Sequence, residues 1–328
     1  MKEIRLGTIG SGFIVQTILN NVAKTPGITL EAVYSRTQEK GSFLAEKYGA
    51  KKVYTDMDAF LADEAINVVY IATPNLLHYP QARKALLAGK HVILEKPFTT
   101  KLDHARELVA LAREKRLLLV DAVPTICLPN FRILQEQLPK IGKLKLVIGN
   151  FSQYSSRYDQ VLAGEKPNIF NPEFAGGCLM DINFYNLFLN VALFGKPQNA
   201  VYYPNFYPGL ADTSGTLILQ YDGFVSQNAG AKDTWGVNFF QIEGEKGYIY
   251  ATNGPAALDE IHVVTREGET VYNEQTNPDR WFYEVTEVTQ RILKEDDETF
   301  NARLDTMLTV IETLENVRKA AGILYPGD

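Results

Sequence analysis

Cysteine is nearly absent: Cys127 and Cys178 are the only two in 328 residues. Two thiols cannot build a disulfide framework, and neither they nor the four histidines fall at zinc-ligand spacing, so no metal site is expected. Positive charge is also in short supply, with 33 Lys and Arg against 39 Asp and Glu and a formal charge of −6. That balance offers no general surface to nucleic-acid phosphates or anionic lipid. No apolar run approaches the roughly 20 residues that span a bilayer. Met1-Lys2-Glu3 leads straight into an apolar, strand-like segment and leaves no room for a charged leader, so a cytoplasmic protein with reduced thiols is expected. Low-complexity segments and fixed-period repeats are missing too.

What is present is ordinary globular material, 45% apolar and 22% charged, in a length that suits two domains. Over 1–123, short β-branched runs (4–9, 30–35, 52–54, 68–72, 91–95 and 117–123) alternate with amphipathic stretches such as 38–48 and 102–115. Such alternation predicts βαβ units and an α/β, doubly wound parallel sheet of Rossmann type. After Pro124 the pattern changes. A helix over 130–138, a strand over 145–155, an irregular loop over 157–175 and a helix over 177–194 are followed by strands at 215–221, 223–229, 239–243 and 248–252. Helices over 280–294 and 301–321 end the chain. A second domain over 124–328, α+β on an open, mostly antiparallel sheet, is expected, and its C-terminal helix can pack back on the first.

Three local patterns carry chemistry. Gly10-Ser11-Gly12-Phe13-Ile14-Val15 lies between the first strand and an apolar helix. In that context Gly10 makes the tight turn, Gly12 admits a pyrophosphate, and Phe13 and Ile14 open the helix whose N-terminus receives the negative charge. Val15 replaces the third glycine of the dinucleotide pattern. At the end of the second strand, Ser35-Arg36 stand where an NAD-selective site places an acid, so a 2′-phosphate and NADP(H) are favoured, with NAD(H) possible. Glu95-Lys96-Pro97 closes the apolar run His91–Leu94. A lysine ending a buried strand needs a partner or a task, which makes Lys96 a candidate catalytic group, and Pro97 restricts it to extended geometry. Asp121, at the end of a later strand, reads either as a cofactor-cleft group or as a solvated carboxylate.

Ala72-Thr73-Pro74-Asn75, His78, the segment 87–97 and Gly176-Gly177-Cys178-Leu179-Met180-Asp181 together resemble the Gfo/Idh/MocA oxidoreductase family, in order and through the whole chain. The resemblance implies hydride transfer between a pyridine nucleotide and sugars, inositols, related polyols or dihydrodiols. It implies Lys96 as the central catalytic lysine near the nicotinamide, with Thr73, Pro74, Asn75, His78 and Glu95 on the cofactor side. It implies Asp181 as a holder of substrate hydroxyls. Many members carry a proton-exchanging histidine four residues beyond that aspartate. Here Tyr185 stands there, similar to the branch with glucose-fructose oxidoreductase, dihydrodiol dehydrogenases and some xylose dehydrogenases. On one helix, the i, i+4 spacing puts Asp181 and Tyr185 on the same face. Asn183 replaces a common glycine and either donates to a substrate hydroxyl or satisfies local backbone.

The resulting expectation is an NADP(H)-dependent dehydrogenase or reductase acting on CH–OH groups, with Lys96, Tyr185 and Asp181 catalytic and Lys96, Asp181, Asn183 and Tyr185 touching a small-molecule hydroxyl or carbonyl substrate. A homodimer or higher homo-oligomer through the C-terminal sheet is expected. The alternatives are a non-catalytic dinucleotide-binding regulatory protein of the same fold and an NAD-using glycosidase.

Overall fold

The computed structural model describes all of residues 1–328. It divides into two compact units, residues 1–123 with 281–308 and residues 124–280 with 309–328. The sequence reading placed 281–308 in the second domain; they cluster instead with the first.

In the first unit the order is β1 (Ile4–Ile9), α1 (Phe13–Val22), β2 (Ile28–Tyr34), α2 (Gln38–Tyr48), β3 (Lys52–Tyr54), α3 (Met57–Ala62), β4 (Val68–Ile71), α4 (His78–Leu87), β5 (His91–Glu95), α5 (Leu102–Lys115) and β6 (Leu119–Ala122). The six strands are parallel in the order β3-β2-β1-β4-β5-β6. The run Val68-Val69-Tyr70-Ile71 is buried at every position, as a strand covered on both faces must be. Strand order reverses between β1 and β4, so the carboxyl ends of these two neighbours frame the crevice where such sheets bind ligands.

Helix α9 (Arg280–Lys294) buries Val285, Val288 and Ile292 in the same core as Leu6, Leu30 and Val68. The helix was expected from the sequence, but not the surface it covers. Asp121, on β6, is fully buried and accepts from the Arg303 guanidinium at 2.9 Å. Neither reading of that residue anticipated this pair. Burial pushes its carboxyl up and Arg303 opposes the shift.

The second unit holds α6 (Pro129–Gln137), β7 (Leu144–Ser152), α7 (Tyr158–Leu162), α8 (Phe184–Phe194), β8 (Asn199–Phe206), β9 (Asp212–Tyr221), β10 (Phe224–Ala231), β11 (Phe239–Gly244), β12 (Gly247–Thr252), β13 (Ile261–Thr265) and β14 (Gly268–Tyr272). A last helix, α10 (Asp297–Ala320), starts in the first unit and ends in the second. The eight strands run β14-β13-β12-β11-β7-β10-β9-β8, antiparallel except for the parallel β7–β10 pair. One face of this sheet carries Leu217, Leu219, Val147, Phe240 and Ile249, all buried; the opposite face shows Val201, Tyr203, Val225 and Tyr248 exposed.

The expected helix over 177–194 is two elements: a π-helical turn, Leu179–Asn183, and then α8. Residues Pro172–Phe194 are also long and apolar enough to cross a bilayer by composition, which the sequence reading overlooked. In this fold 78% of the most apolar window is buried, so the segment is core material.

Candidate active site

The first unit brings the sequence-predicted cofactor residues to the carboxyl ends of β1, β2, β4 and β5. Gly10 has φ +124°, and a Cβ there would stand 2.4 Å from the Ala72 carbonyl oxygen, so only glycine fits. Gly12 caps α1 with extended backbone, and nothing lies within 4 Å of where its Cβ would be. Open space at a helix N-terminus with no acidic residue in its first turn fits a pyrophosphate. Phe13 is exposed, and Ile14 packs partly against the core. At the end of β2, Ser35 is buried, its Cβ 3.4 Å from the place a Cβ on Gly41 would take, while Arg36 is exposed. These residues suit a dinucleotide with an extra phosphate.

Between β4 and α4, Thr73, Pro74 and Asn75 are half-buried, and Thr73 donates its hydroxyl to Gln81 at 2.6 Å. His78 is buried, with Nε2 2.8 Å from the Thr73 carbonyl and Nδ1 2.9 Å from the Pro97 carbonyl. The ring therefore ties the loop after β4 to the loop after β5. Burial pushes its pKa down, against the pull of those carbonyls. Glu95 is buried and accepts from the Tyr70 hydroxyl at 2.7 Å and from the Lys96 amide at 3.1 Å. Its carboxylate thus anchors the end of β5, where Lys96 is half-buried and joined to Pro97 by a cis peptide.

The second unit gathers the substrate residues on the π-turn and α8. Glycines set the approach: Gly177 has φ +132°, and a Cβ on it would meet Asp212 Oδ1 at 2.2 Å, while one on Gly176 would meet the Asn168 carbonyl at 2.5 Å. Asp212, fully buried, accepts from the Leu179 amide at 2.7 Å and from the Tyr202 hydroxyl at 2.6 Å. It therefore holds the first amide of the π-turn, and burial pushes its carboxyl up to about 6 despite those bonds. Asp181, on that turn, forms an ion pair with Lys232, the residue after β10. The side chain of Lys232 is 2% exposed and that of Asp181 29% exposed, so the pair is buried at its cation and open at its carboxylate.

Tyr185 opens α8 in a buried aromatic setting, edge-on to Phe151 at 5.7 Å and to Phe184 at 5.8 Å. The Arg280 guanidinium lies 5.7 Å from its ring centroid. Asn183 is fully buried. Its amide lies 3.3 Å from the Asn228 carbonyl and 3.4 Å from the Gly215 carbonyl, and its oxygen accepts from Asn186 at 3.0 Å. Of the two roles weighed for it, satisfying backbone matches this placement and contact with a substrate hydroxyl does not.

Sequence reasoning missed Lys232, Asp212 and Arg280. A signal existed for the first: Lys232 ends the small-residue run Ala229-Gly230-Ala231, the same lysine-after-a-strand pattern that singled out Lys96. It also missed an aromatic cluster beside the irregular loop, where Tyr154 stacks on Trp235 at 5.5 Å and Tyr158 packs on Phe170 at 5.8 Å. The buried Cys178 thiol is pushed up by burial and is no nucleophile.

A doubly wound unit with a glycine-rich first turn, continued by an open-sheet α+β unit, defines the two-part architecture of a dinucleotide-binding oxidoreductase. Residues 4–121 match the Gfo/Idh/MocA model of an oxidoreductase family with an NAD-binding Rossmann fold. The chain is 34% identical over 333 residues to scyllo-inositol 2-dehydrogenase (NADP(+)) IolU of Bacillus subtilis (strain 168), with 99% of each chain covered. It is 25% identical over 346 residues to trans-1,2-dihydrobenzene-1,2-diol dehydrogenase of Mus musculus, again with 99% of each covered. In fold it is similar to a 3-ketoreductase from Actinomadura kijaniata, solved with NADP and TDP-benzene, at a TM-score of 0.85 and 21% identity over 97% of each chain. The chain belongs to the Gfo/Idh/MocA oxidoreductase family.

Proposed function

We propose that this protein is an NADP(H)-dependent oxidoreductase that interconverts a secondary hydroxyl of a cyclic polyol or sugar with the corresponding carbonyl. What carries the reading is a phenol and a partly exposed carboxylate, Tyr185 and Asp181, four residues apart in a chain similar over its full length to an NADP(+)-dependent scyllo-inositol dehydrogenase. Ser35 and Arg36, in place of an acid at the end of β2, support NADP(H) over NAD(H).

Bound NADP(H) supplies a hydride acceptor or donor at nicotinamide C4. In the oxidation direction Tyr185 takes the substrate hydroxyl proton on its phenolic oxygen. An ordinary phenol, with a pKa of about 10, is a poor base at neutral pH, so cations have a task here. The Arg280 guanidinium, 5.7 Å from the ring, favours the phenolate, and the Lys96 ammonium stabilises the developing oxyanion and relays the proton. Asp181 accepts from a neighbouring substrate hydroxyl and fixes the ring.

The exposed face of the eight-stranded sheet, with Val201, Tyr203, Val225 and Tyr248, supports a homodimer. Two buried free thiols suit a reducing, cytoplasmic setting. The direct test is to follow nicotinamide absorbance while the protein is offered inositols, aldoses, polyols and dihydrodiols with NADP+ or NAD+. Turnover of an inositol or related polyol, faster with NADP+, is the expected result. Bound cofactor with no turnover on any of them points to a regulatory protein, and bond cleavage in a glycoside without net cofactor reduction points to a glycosidase.

A further inference from the structure

Lys232 is a buried cation beside the substrate residues that the mechanism above leaves without a task. It sits directly after β10; its backbone amide donates to the Thr213 carbonyl at 2.9 Å, and its own carbonyl accepts from the Ser155 amide at 2.9 Å, so both main-chain groups are fixed. Its ammonium lies 5.1 Å from the centroid of the Phe170 ring and pairs with Asp181. An ammonium this buried is tolerated only with a partner, and the partner is the partly exposed carboxylate assigned to the substrate. The two ends of the pair are therefore unequal: one is sunk in the fold and the other is presented.

We propose that Lys232 is a positioning residue of the substrate site, which holds Asp181 ionised and oriented as an acceptor-only carboxylate for a substrate hydroxyl. The proposal rests on the reading of Asp181 given above. An ionised carboxylate accepts and cannot donate, so it selects a hydroxyl donor, whereas a protonated one would present both roles and blur that choice. Without a cation, a carboxylate in these surroundings is drawn toward its neutral form. Groups that share its electrostatic surroundings include Asp233 beside Lys232, Cys178 on its own helical segment, and Asp212 on β9 with Tyr202 of β8. Lys232 is the cation paired directly with Asp181. Asp212 and Asp233 add negative charge that favours protonation of Asp181, and Lys232 offsets it.

The test needs a readout that a merely structural lysine would not move. Carbon-13 at the carboxyl carbon of aspartate, assigned through Asp181→Asn, reports by NMR the pH at which Asp181 takes up its proton. Asp212→Asn identifies the neighbouring Asp212 carboxyl, which burial pushes up to about 6. In Lys232→Gln, and in Lys232→Met should the first not fold, the affinity of Asp181 for a proton should rise about tenfold or more, moving its midpoint to higher pH. Lys232→Arg, which keeps the charge, should restore the midpoint. With a polyol substrate, loss of the fixed charged acceptor should raise KM roughly tenfold with a smaller change in kcat, while NADP(H) affinity is unchanged. An unmoved Asp181 midpoint in a folded, cofactor-binding charge-loss variant overturns the proposal, as does an unchanged KM. If the wild-type protein turns over none of the polyols, the functional reading falls, and the NMR midpoint alone still decides whether Lys232 governs Asp181.

Discussion

Lys96 and Lys232 answer the same physical demand in the two units: an ammonium at the end of a strand must be matched by charge or by a task. Lys232 meets it with Asp181, 51 residues away in sequence. Lys96 is assigned the reacting oxygen. If Lys96 and Tyr185 handle that oxygen and its proton, Lys96→Met and Tyr185→Phe should each lower kcat by about a hundredfold or more. NADP(H) titrations should be little affected, and the double variant should be scarcely worse than the poorer single one, because the two groups act as a unit. Full activity in Tyr185→Phe removes the phenol from the mechanism, and parallel loss of cofactor affinity in Lys96→Met makes that residue a binding group. Lys96 stood out as a candidate because it closes a local strand-end pattern, and Asp181 and Tyr185 because the resemblance to the family points to their positions. Lys232 carried the same lysine-after-a-strand signal but not the identity of its partner, and Arg280 carried no signal, because a partner brought near by the fold across tens of residues leaves no trace in spacing. Asn183 was left between two roles for a related reason: an asparagine next to site residues looks available until the carbonyls that take up its amide are seen.

At the scale of elements, the π-turn before α8 is the most consequential departure from regular structure. Its wider winding follows two glycines that only glycine can occupy and is tethered by Asp212 at the Leu179 amide. That tether has a measurable consequence. Asp212 keeps its proton to about pH 6 in the folded chain, while its ordinary value is 3.8. Between those values the native state binds more protons than the unfolded one, so stability falls as pH rises through that window. Above it the full penalty persists, on the order of 3 kcal/mol for two pKa units. Asp212→Asn, whose amide oxygen can still accept from Leu179 and Tyr202, should abolish this dependence. Urea unfolding of both proteins between pH 4 and pH 8 checks it; parallel stability curves would contradict the assignment. The βαβ alternation of the first unit was readable because its strands are short apolar runs, whereas β14 was not, since it is Gly-Glu-Thr-Val-Tyr and none of its positions is buried. Propensity is weak where burial does not reinforce it.

At the scale of the molecule, the eight-stranded sheet has one face filled by its own unit and one face open. Along that open face Val201 lies opposite Ile218, Val225 opposite Leu146 and Tyr248 opposite Val264, a stripe of apolar pairs that the strand register interleaves with Gln220, Gln227, Gln241 and Glu243. Tyr203, 65% exposed, stands on β8 at the edge of the sheet. In the homodimer proposed above, a second copy covers this face. Light scattering at micromolar concentration should give a dimeric or larger mass, and charge placed in the stripe, as in Ile148→Asp with Tyr203→Glu, should shift it to monomer. A monomeric wild-type protein would contradict this. The strands of this sheet were partly visible in the sequence, but not which side of each the helices would cover.

The central claim is that a hydride passes from a CH–OH carbon of a polyol to NADP+, and isotope transfer tests it most directly. The wild-type protein, given NADP+ and an inositol carrying deuterium on its ring carbons, should yield reduced cofactor containing one deuterium by mass spectrometry. The rate should show a primary isotope effect relative to unlabelled inositol if hydride transfer limits turnover. Reduced cofactor without deuterium, or a chemically changed substrate with no reduced cofactor, would contradict the claim.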